Sequence, residues 1–366
     1  MLRQYKLRDY RFSLVLWVVA LSTLGIMIIG SAQKASQTKQ IFGLILGLVC
    51  MVAVSLIDYT WLINFYWIYY VAGIGLLMAV LLFGVEVNGA KRWINIGFQF
   101  QPSDVAKIIL IVFFAKLFSK YEEKINTVKM ILFSLILLGI PLFLIYKEPN
   151  LSTTIVTALV FCVIIFVAGL SYKIIGGILL VTIPMAVILF TVILQPGQTL
   201  IEGYQVNRIL SWLKPEEYVD IARQQQNAII AIGSGQLYGK GLNNNAVSSV
   251  KNGNFFSESQ TDFIFAVAGE ELGFLGCCLI VILEFLIAFE CIRIGRKAKD
   301  LAGTLICCGM GALIMIQSFV NIGVTTGLLP NTGIALPFVS YGMTSLVSFC
   351  IGIGFVLNVG LQIRKY

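Results

Sequence analysis

Residues Ser257–Gly273 read "SESQTDFIFAVAGEELG". A polar run passes straight into an apolar segment, and that segment still carries Asp262, Glu270 and Glu271. The apolar character continues to about residue 290, long enough to cross a hydrocarbon core about 30 Å thick. A carboxylate at the mouth of such a helix is partly desolvated, which disfavours its ionised form and makes it a better base. The plain alternative is capping: Thr261 or Asp262 would satisfy free amides and face the helix dipole. The residues leave both readings open. Glu270 and Glu271 lie two turns deeper. Charge inside a membrane is costly, so at least one must face the bundle interior, where pairing with a cation is the expected role.

The surrounding chain fits this membrane reading. Of 366 residues, 58% are hydrophobic and only 12% charged, against about 25% charged in soluble domains. Mean hydropathy is +0.90. The first apolar run, Phe12 to Ile29, is long enough to span and has no small-residue cleavage motif behind it, so a retained span is expected. The eight cysteines lie in or beside apolar runs without CxxC spacing, and there is no histidine. Small-residue packing is their expected role, and a metal or disulfide framework is not. A Ser-His-Asp or Cys-His mechanism within the chain is excluded. No cofactor is evident, and a divalent cation is left open.

Ten spans are expected in one all-α polytopic membrane domain covering 1–366. Their cores are 12–31, 41–57, 62–83, 104–118, 128–146, 151–169, 173–194, 262–290, 303–326 and 340–362. Most of the Lys and Arg flanking short loops fall on the side of both termini: Arg3, Lys6, Arg8 and Arg11, Lys116 to Lys129, Arg293 to Lys299, then Arg364 and Lys365. By the positive-inside rule both termini are cytoplasmic. The net charge of +8 then reflects orientation, and no nucleic acid partner is implied. One long loop, 195–261, separates spans seven and eight on the outer face. Within it "PEEYVDIARQQQNAIIAIGSG" reads as an amphipathic interfacial helix. Two further outer loops are 84–103, with "VNGAKRWINIGFQFQPSD", and 327–340, with "GLLPNTGIALPFVS".

Cations on that face complement the carboxylate. Lys91 and Arg92 precede Trp93, whose plain role is interfacial anchoring. Lys107 stands at i+3 from Asp104 inside a span, where a salt bridge is the plain reading and a functional role the default for an intramembrane lysine. Arg208 and Lys240 lie in the long loop, where each alone would be a solvated charge. Together with Asp262 these cations form the inventory for a phosphate-bearing lipid. "AIGSGQLYGKG" lacks the GK[ST] ending and the parallel-sheet context of a nucleotide loop, and reads as a strip permitting close backbone approach.

The stretches "NGAKRWINIG", "FQPSDVAK", "YQVNRILSWLKPE", "AIGSGQLYGKGL", "ESQTDFIFAVAGEELGFLG" and "LPNTGIALPFVSYG" resemble the SEDS family (shape, elongation, division and sporulation) of RodA, FtsW and SpoVE. They run in family order over nearly the whole chain, and two of them look most like the RodA branch. The resemblance implies a peptidoglycan glycosyltransferase with ten helices. It would polymerise lipid II on the outer face of the cytoplasmic membrane, adding to a lipid-linked glycan beside a class B penicillin-binding protein and, in cell elongation, other membrane proteins. The essential aspartate falls on Asp262, the loop tryptophan on Trp93, the membrane lysine on Lys107 and the long-loop arginine on Arg208. The chain departs from the family at "KEPNLST", where Glu148 and Asn150 replace an amide and an aspartate. It departs also at Ala335 and at Met343, in place of a proline and a glycine.

The implied transfer needs a base for the attacking sugar hydroxyl and cations for the departing pyrophosphate. One carboxylate with several Lys and Arg supplies that, unlike the paired carboxylates of most glycosidases. Rival readings are a division or sporulation paralogue with the same chemistry, a lipid II flippase, and a scaffold without catalysis.

Overall fold

The computed structural model of the chain describes residues 10–87, 90–95, 97, 99–178, 180, 184, 191, 203–243 and 259–362. Its helices are α1 (Phe12–Ala32), α2 (Lys34–Leu56), α3 (Tyr59–Phe83), α4 (Pro102–Lys120), α5 (Val128–Lys147), α6 (Leu151–Val167), α7 (Gly203–Leu213), α8 (Val219–Ser234), α9 (Ile264–Gly295), α10 (Leu301–Thr325) and α11 (Met343–Leu361). Seven of them are long and apolar enough to cross a membrane: α1, α2, α3, α5, α9, α10 and α11. α6 is a shorter apolar helix. α4 has span length but carries Asp104, Lys107, Lys116 and Lys120. Of the expected seventh span, 173–194, residues to 178 are helical and most of the remainder lies outside the described residues.

The helices pack through contacts that sequence periodicity alone would not rank. Glycines let α2 and α11 approach closely: a Cβ on Gly47 would lie 2.9 Å from Cys350 Sγ, and one on Gly354 would lie 2.8 Å from Met51 O. α4 is buried on almost every side. It shares an aromatic seam with α3 and α6, in which Tyr70 stacks on Phe113 at 4.4 Å and Phe114 meets Phe161 edge-on at 4.8 Å. Apolar side chains also cover the outside. Val49, Ile68, Val71, Phe83, Phe285 and Phe319 are all exposed. Outward Phe, Ile and Val in such numbers need lipid as their solvent, and the chain is a polytopic helical membrane protein.

Two features revise the expectations. Residues 84–103, read as a loop, contain a three-stranded antiparallel sheet ordered β1 (Val85–Val87), β2 (Ala90–Asn95) and β3 (Gln99–Phe100). And α9 extends over 32 residues, broken at Gly273 with φ 65° and ψ −164°. An unbroken helix of that length would run about 48 Å, well beyond the bilayer core. Only glycine adopts that backbone conformation without strain, so its first turns, Ile264 to Leu272, form a separate half-helix.

Candidate active site

At one end of the bundle the sheet, the α7–α8 pair and the 331–341 segment surround a cavity of about 1180 Å³. Trp93, Asp104, Arg208, Asp262 and Gln317 line it, as does Arg92. Residues from 38 to 345 in sequence therefore meet in one chamber.

Asp262 is held in that wall by its backbone. Asn321 Nδ2 donates to Asp262 O at 2.9 Å and to Ile334 O at 2.7 Å. Ser340 Oγ donates to Thr261 O at 2.7 Å, and the Tyr341 amide donates to Gln260 O at 2.9 Å. The Gln260–Thr261–Asp262 segment is thus pinned from α10 and from 331–341, and Asp262 lines the cavity. Neither Thr261 nor Asp262 occupies the N-cap position of α9. The N-cap of α9 is Phe263, with no side-chain cap bond.

Arg208 reaches the same place from α7. Its Nη1 donates to Asn331 O at 3.3 Å. A Cβ on Gly333, whose φ is 66°, would lie 3.1 Å from Asp262 Oδ2 and 3.6 Å from Arg208 Nη1. The carboxylate and the guanidinium therefore converge on one glycine. Trp212 Nε1 donates to Gly327 O at 2.8 Å, and Gln225 Nε2 donates to Val324 O and Leu329 O, each at 2.7 Å. These bonds fasten α7 and α8 over the cavity, and Asp220, Ile221 and Gln224 of α8 join its lining.

The other expected cations separate. Lys107, expected at substrate phosphate, is only 3% exposed; its Nζ lies 2.9 Å from Asp104 Oδ1 and 2.9 Å from Gln317 Oε1. Asp104 and Gln317 line the cavity and Lys107 does not, so Lys107 meets the cavity only through its contacts with them. Gln317 Nε2 also donates to Ala335 O at 2.8 Å, which ties α4 to the 331–341 segment. Lys91 lies exposed on β2 opposite Glu86, outside the lining. Its neighbour Arg92 lines the cavity instead, with Nε donating to Glu148 O at 3.2 Å and Nη2 to Pro149 O. The β1–β2 register slips at Arg92, between Lys91 opposite Glu86 and Trp93 opposite Val85, and such an irregularity re-aims a side chain. Lys240 is not at the cavity: its Nζ lies 2.8 Å from Glu270 Oε1. Glu271 Oε1 accepts from Ser31 Oγ.

Glu148, to which no role was carried over, is fully buried beside Arg92. Burial pushes its carboxyl up to about 8; Arg92 pulls the other way and Asp104 adds to the rise. Asn150 Oδ1 accepts from the Thr153 amide at 3.3 Å and caps α6.

A family model described as "Cell cycle protein", spanning FtsW, RodA and SpoVE, matches residues 9–365. The probable peptidoglycan glycosyltransferase FtsW of Nitrosomonas europaea is 36% identical over 307 residues, 81% of this chain and 76% of its own. Its namesake in Geobacter metallireducens is 31% identical over 385 residues, 98% of this chain and 96% of its own. Among solved structures, a chain of a peptidoglycan synthase complex that coordinates polymerization and crosslinking superposes with TM-score 0.79 at 28% identity, covering 96% of this chain and 97% of that one. The rod shape determining protein RodA of Thermus thermophilus gives 0.69 at 26% identity, covering 98% of each chain.

Proposed function

Because this chain belongs to the FtsW, RodA and SpoVE family and is a peptidoglycan glycosyltransferase, we propose that Asp262 is the general base of its transfer and Arg208 the cation that receives the leaving group. The observation that carries this is the convergence of both side chains on Gly333 in the wall of the cavity. The substrate is lipid II. The attacking sugar hydroxyl of one lipid-linked saccharide gives its proton to the Asp262 carboxylate as its oxygen bonds to the anomeric carbon of the other. The bond from that carbon to the pyrophosphate breaks, and the electron pair leaves on the phosphate oxygen. Pyrophosphate departs without prior protonation, so one base and one or more fixed cations suffice. Arg208 presents the planar fork that suits phosphate. Arg92 adds a second positive charge to the lining, and Trp93 offers an apolar face to a sugar or lipid segment.

The remaining assignments stand on the same reading. The cavity opens to the outer face, with both termini cytoplasmic and 195–261 an outer loop of the single membrane domain. The partner is a class B penicillin-binding protein, which crosslinks the strand made here. Support comes from the likeness to a chain of a synthase complex that couples those two steps. The relatives include FtsW-named glycosyltransferases and a RodA-named rod shape determining protein. We assign this chain to elongation, and its depletion should give rounded cells; filaments with unfinished septa would assign it to division. The decisive assay incubates the purified chain with lipid II and measures polymer. Asp262→Asn keeps shape and removes the base, and polymer should fall by about 10²- to 10⁴-fold. Polymer at the parental rate from Asp262→Asn would rule out the assignment.

A further inference from the structure

The glycine-rich strip 235–241 has a partner in the break of α9. Backbone bonds cross in both directions. The Lys240 amide donates to Glu270 O and the Gly241 amide to Glu271 O, each at 2.9 Å. In return the Phe274 amide donates to Gln236 O at 2.8 Å and the Leu275 amide to Leu237 O at 3.2 Å. The approach is so close that a Cβ on Gly239 would lie 2.2 Å from Glu271 O, and one on Gly273 would lie 2.3 Å from Gly239 N. The strip therefore supplies partners to the backbone groups that the break at Gly273 releases. One ion pair closes the joint. Glu270, 1% exposed, takes Lys240 Nζ on its carboxylate, while its carbonyl takes the Lys240 amide.

The half-helix from Ile264 to Leu272 is thus gripped at both ends. Asn321, Ser340 and Tyr341 hold the Gln260–Asp262 end. The 235–241 strip holds the other, and α8, which runs directly into that strip, brings Asp220 and Gln224 to the cavity. A shift at the Glu270 end would travel along two rigid turns to Asp262.

We propose that Lys240 and Glu270 are positioning residues for the transfer: their ion pair locks the 235–241 strip onto the broken helix and sets Asp262 and α8 in register with Arg208. This rests on Asp262 being the base. It also gives Lys240 a different task from direct contact with substrate phosphate. Loss of Lys240 removes a cation from a buried carboxylate, a change that is costly where the pair lies in a protein interior.

The test measures initial rates of lipid II polymerisation against lipid II concentration for the purified full-length chain, with thermal midpoints in parallel. Lys240→Met should lower kcat on the order of 10- to 100-fold, as expected for misplacement of a reacting group by about 1 Å, with KM unchanged. Lys240→Arg keeps charge and donors and should recover most of the rate. Glu270→Gln keeps the shape and should lower kcat in the same direction, which provides a reading should Lys240→Met fail to fold. A rise in KM at unchanged kcat would make Lys240 a substrate contact and overturn the proposal. So would rate losses that simply follow the thermal midpoint and are not recovered by arginine. An active Asp262→Asn overturns the base reading and this proposal with it. An inactive Asp262→Asn beside a fully active Lys240→Met overturns this proposal alone.

Discussion

Two aspartates stand just ahead of apolar helices, at opposite ends of the bundle, and the protein uses them differently. Asp300 is the N-cap of α10: its Oδ1 accepts from the Gly303 amide at 2.7 Å and from Tyr59 Oη at 2.8 Å. Around it the chain closes on itself. Asn358 Oδ1 accepts from the Tyr59 amide and from Gln362 Nε2, each at 2.8 Å, while its Nδ2 donates to Ser55 O at 2.6 Å. Asp262 lies one residue too early to cap α9, behind Phe263, and its carbonyl rather than its carboxylate is taken up by Asn321. Its side chain lines a cavity of about 1180 Å³. One aspartate caps a helix and the other lines the cavity.

The comparison can be broken first at Arg208. If the open end is built for an anionic leaving group, Arg208→Ala should cost about 2–4 kcal/mol of transition-state stabilisation, read as the fall in kcat/KM for lipid II. Arg208→Lys keeps the charge and loses the fork, so it should recover only part of that. Binding of the penicillin-binding protein should survive both changes. Loss of rate and partner together would point instead to a structural role.

A smaller effect is expected from Glu148. Burial lifts its carboxyl to about 8 in the folded chain, whereas the unfolded chain releases that proton near 4.5. The folded form therefore holds the extra proton between those values, and stability is lost as pH rises from about 5 to about 8. Glu148→Gln should flatten that decline in the thermal midpoint. An unchanged slope would show that Glu148 is ionised in the fold.

The smallest effect belongs to the closed end. Asp300→Ala removes one helix cap and one tyrosine partner, and should lower stability by about 1 kcal/mol. Turnover per folded molecule should stay near the parental value.

The helices were legible because membrane spans advertise themselves through length and the absence of charge. Nine of the ten expected cores fall on described helices. α4 was legible as well, although Asp104 and Lys107 lie within it, because the stretch 108–115 that follows them is wholly apolar. The sheet at 85–100 was missed since its strands are short, two of them three and two residues long. The Asn88-Gly89 pair in "VEVNGAKRW" is the hairpin signal that would have found it. Missing the strand made Lys91 look as useful as Arg92. Lys240 was misplaced for another reason: its partner Glu270 lies thirty positions on, and no local pattern pairs a loop lysine with a helix glutamate. Lys107 was seen as a cation but not as a sequestered one, because Gln317 reaches it from 210 residues away. What composition and motif could identify was the inventory of the site. Which cations face the cavity depended on pairings across the fold.

The most direct test of the contrast sets Asp262→Asn beside Asp300→Ala, with lipid II turnover and thermal midpoint measured on the same preparations. Asp262→Asn should keep the parental midpoint and lose about 10²- to 10⁴-fold in turnover. Asp300→Ala, which removes the cap, should lower the midpoint and keep turnover per folded molecule. A parental turnover from Asp262→Asn, or a loss of turnover matched by an equal loss of stability, would contradict the claim that this aspartate is held at the cavity wall for chemistry.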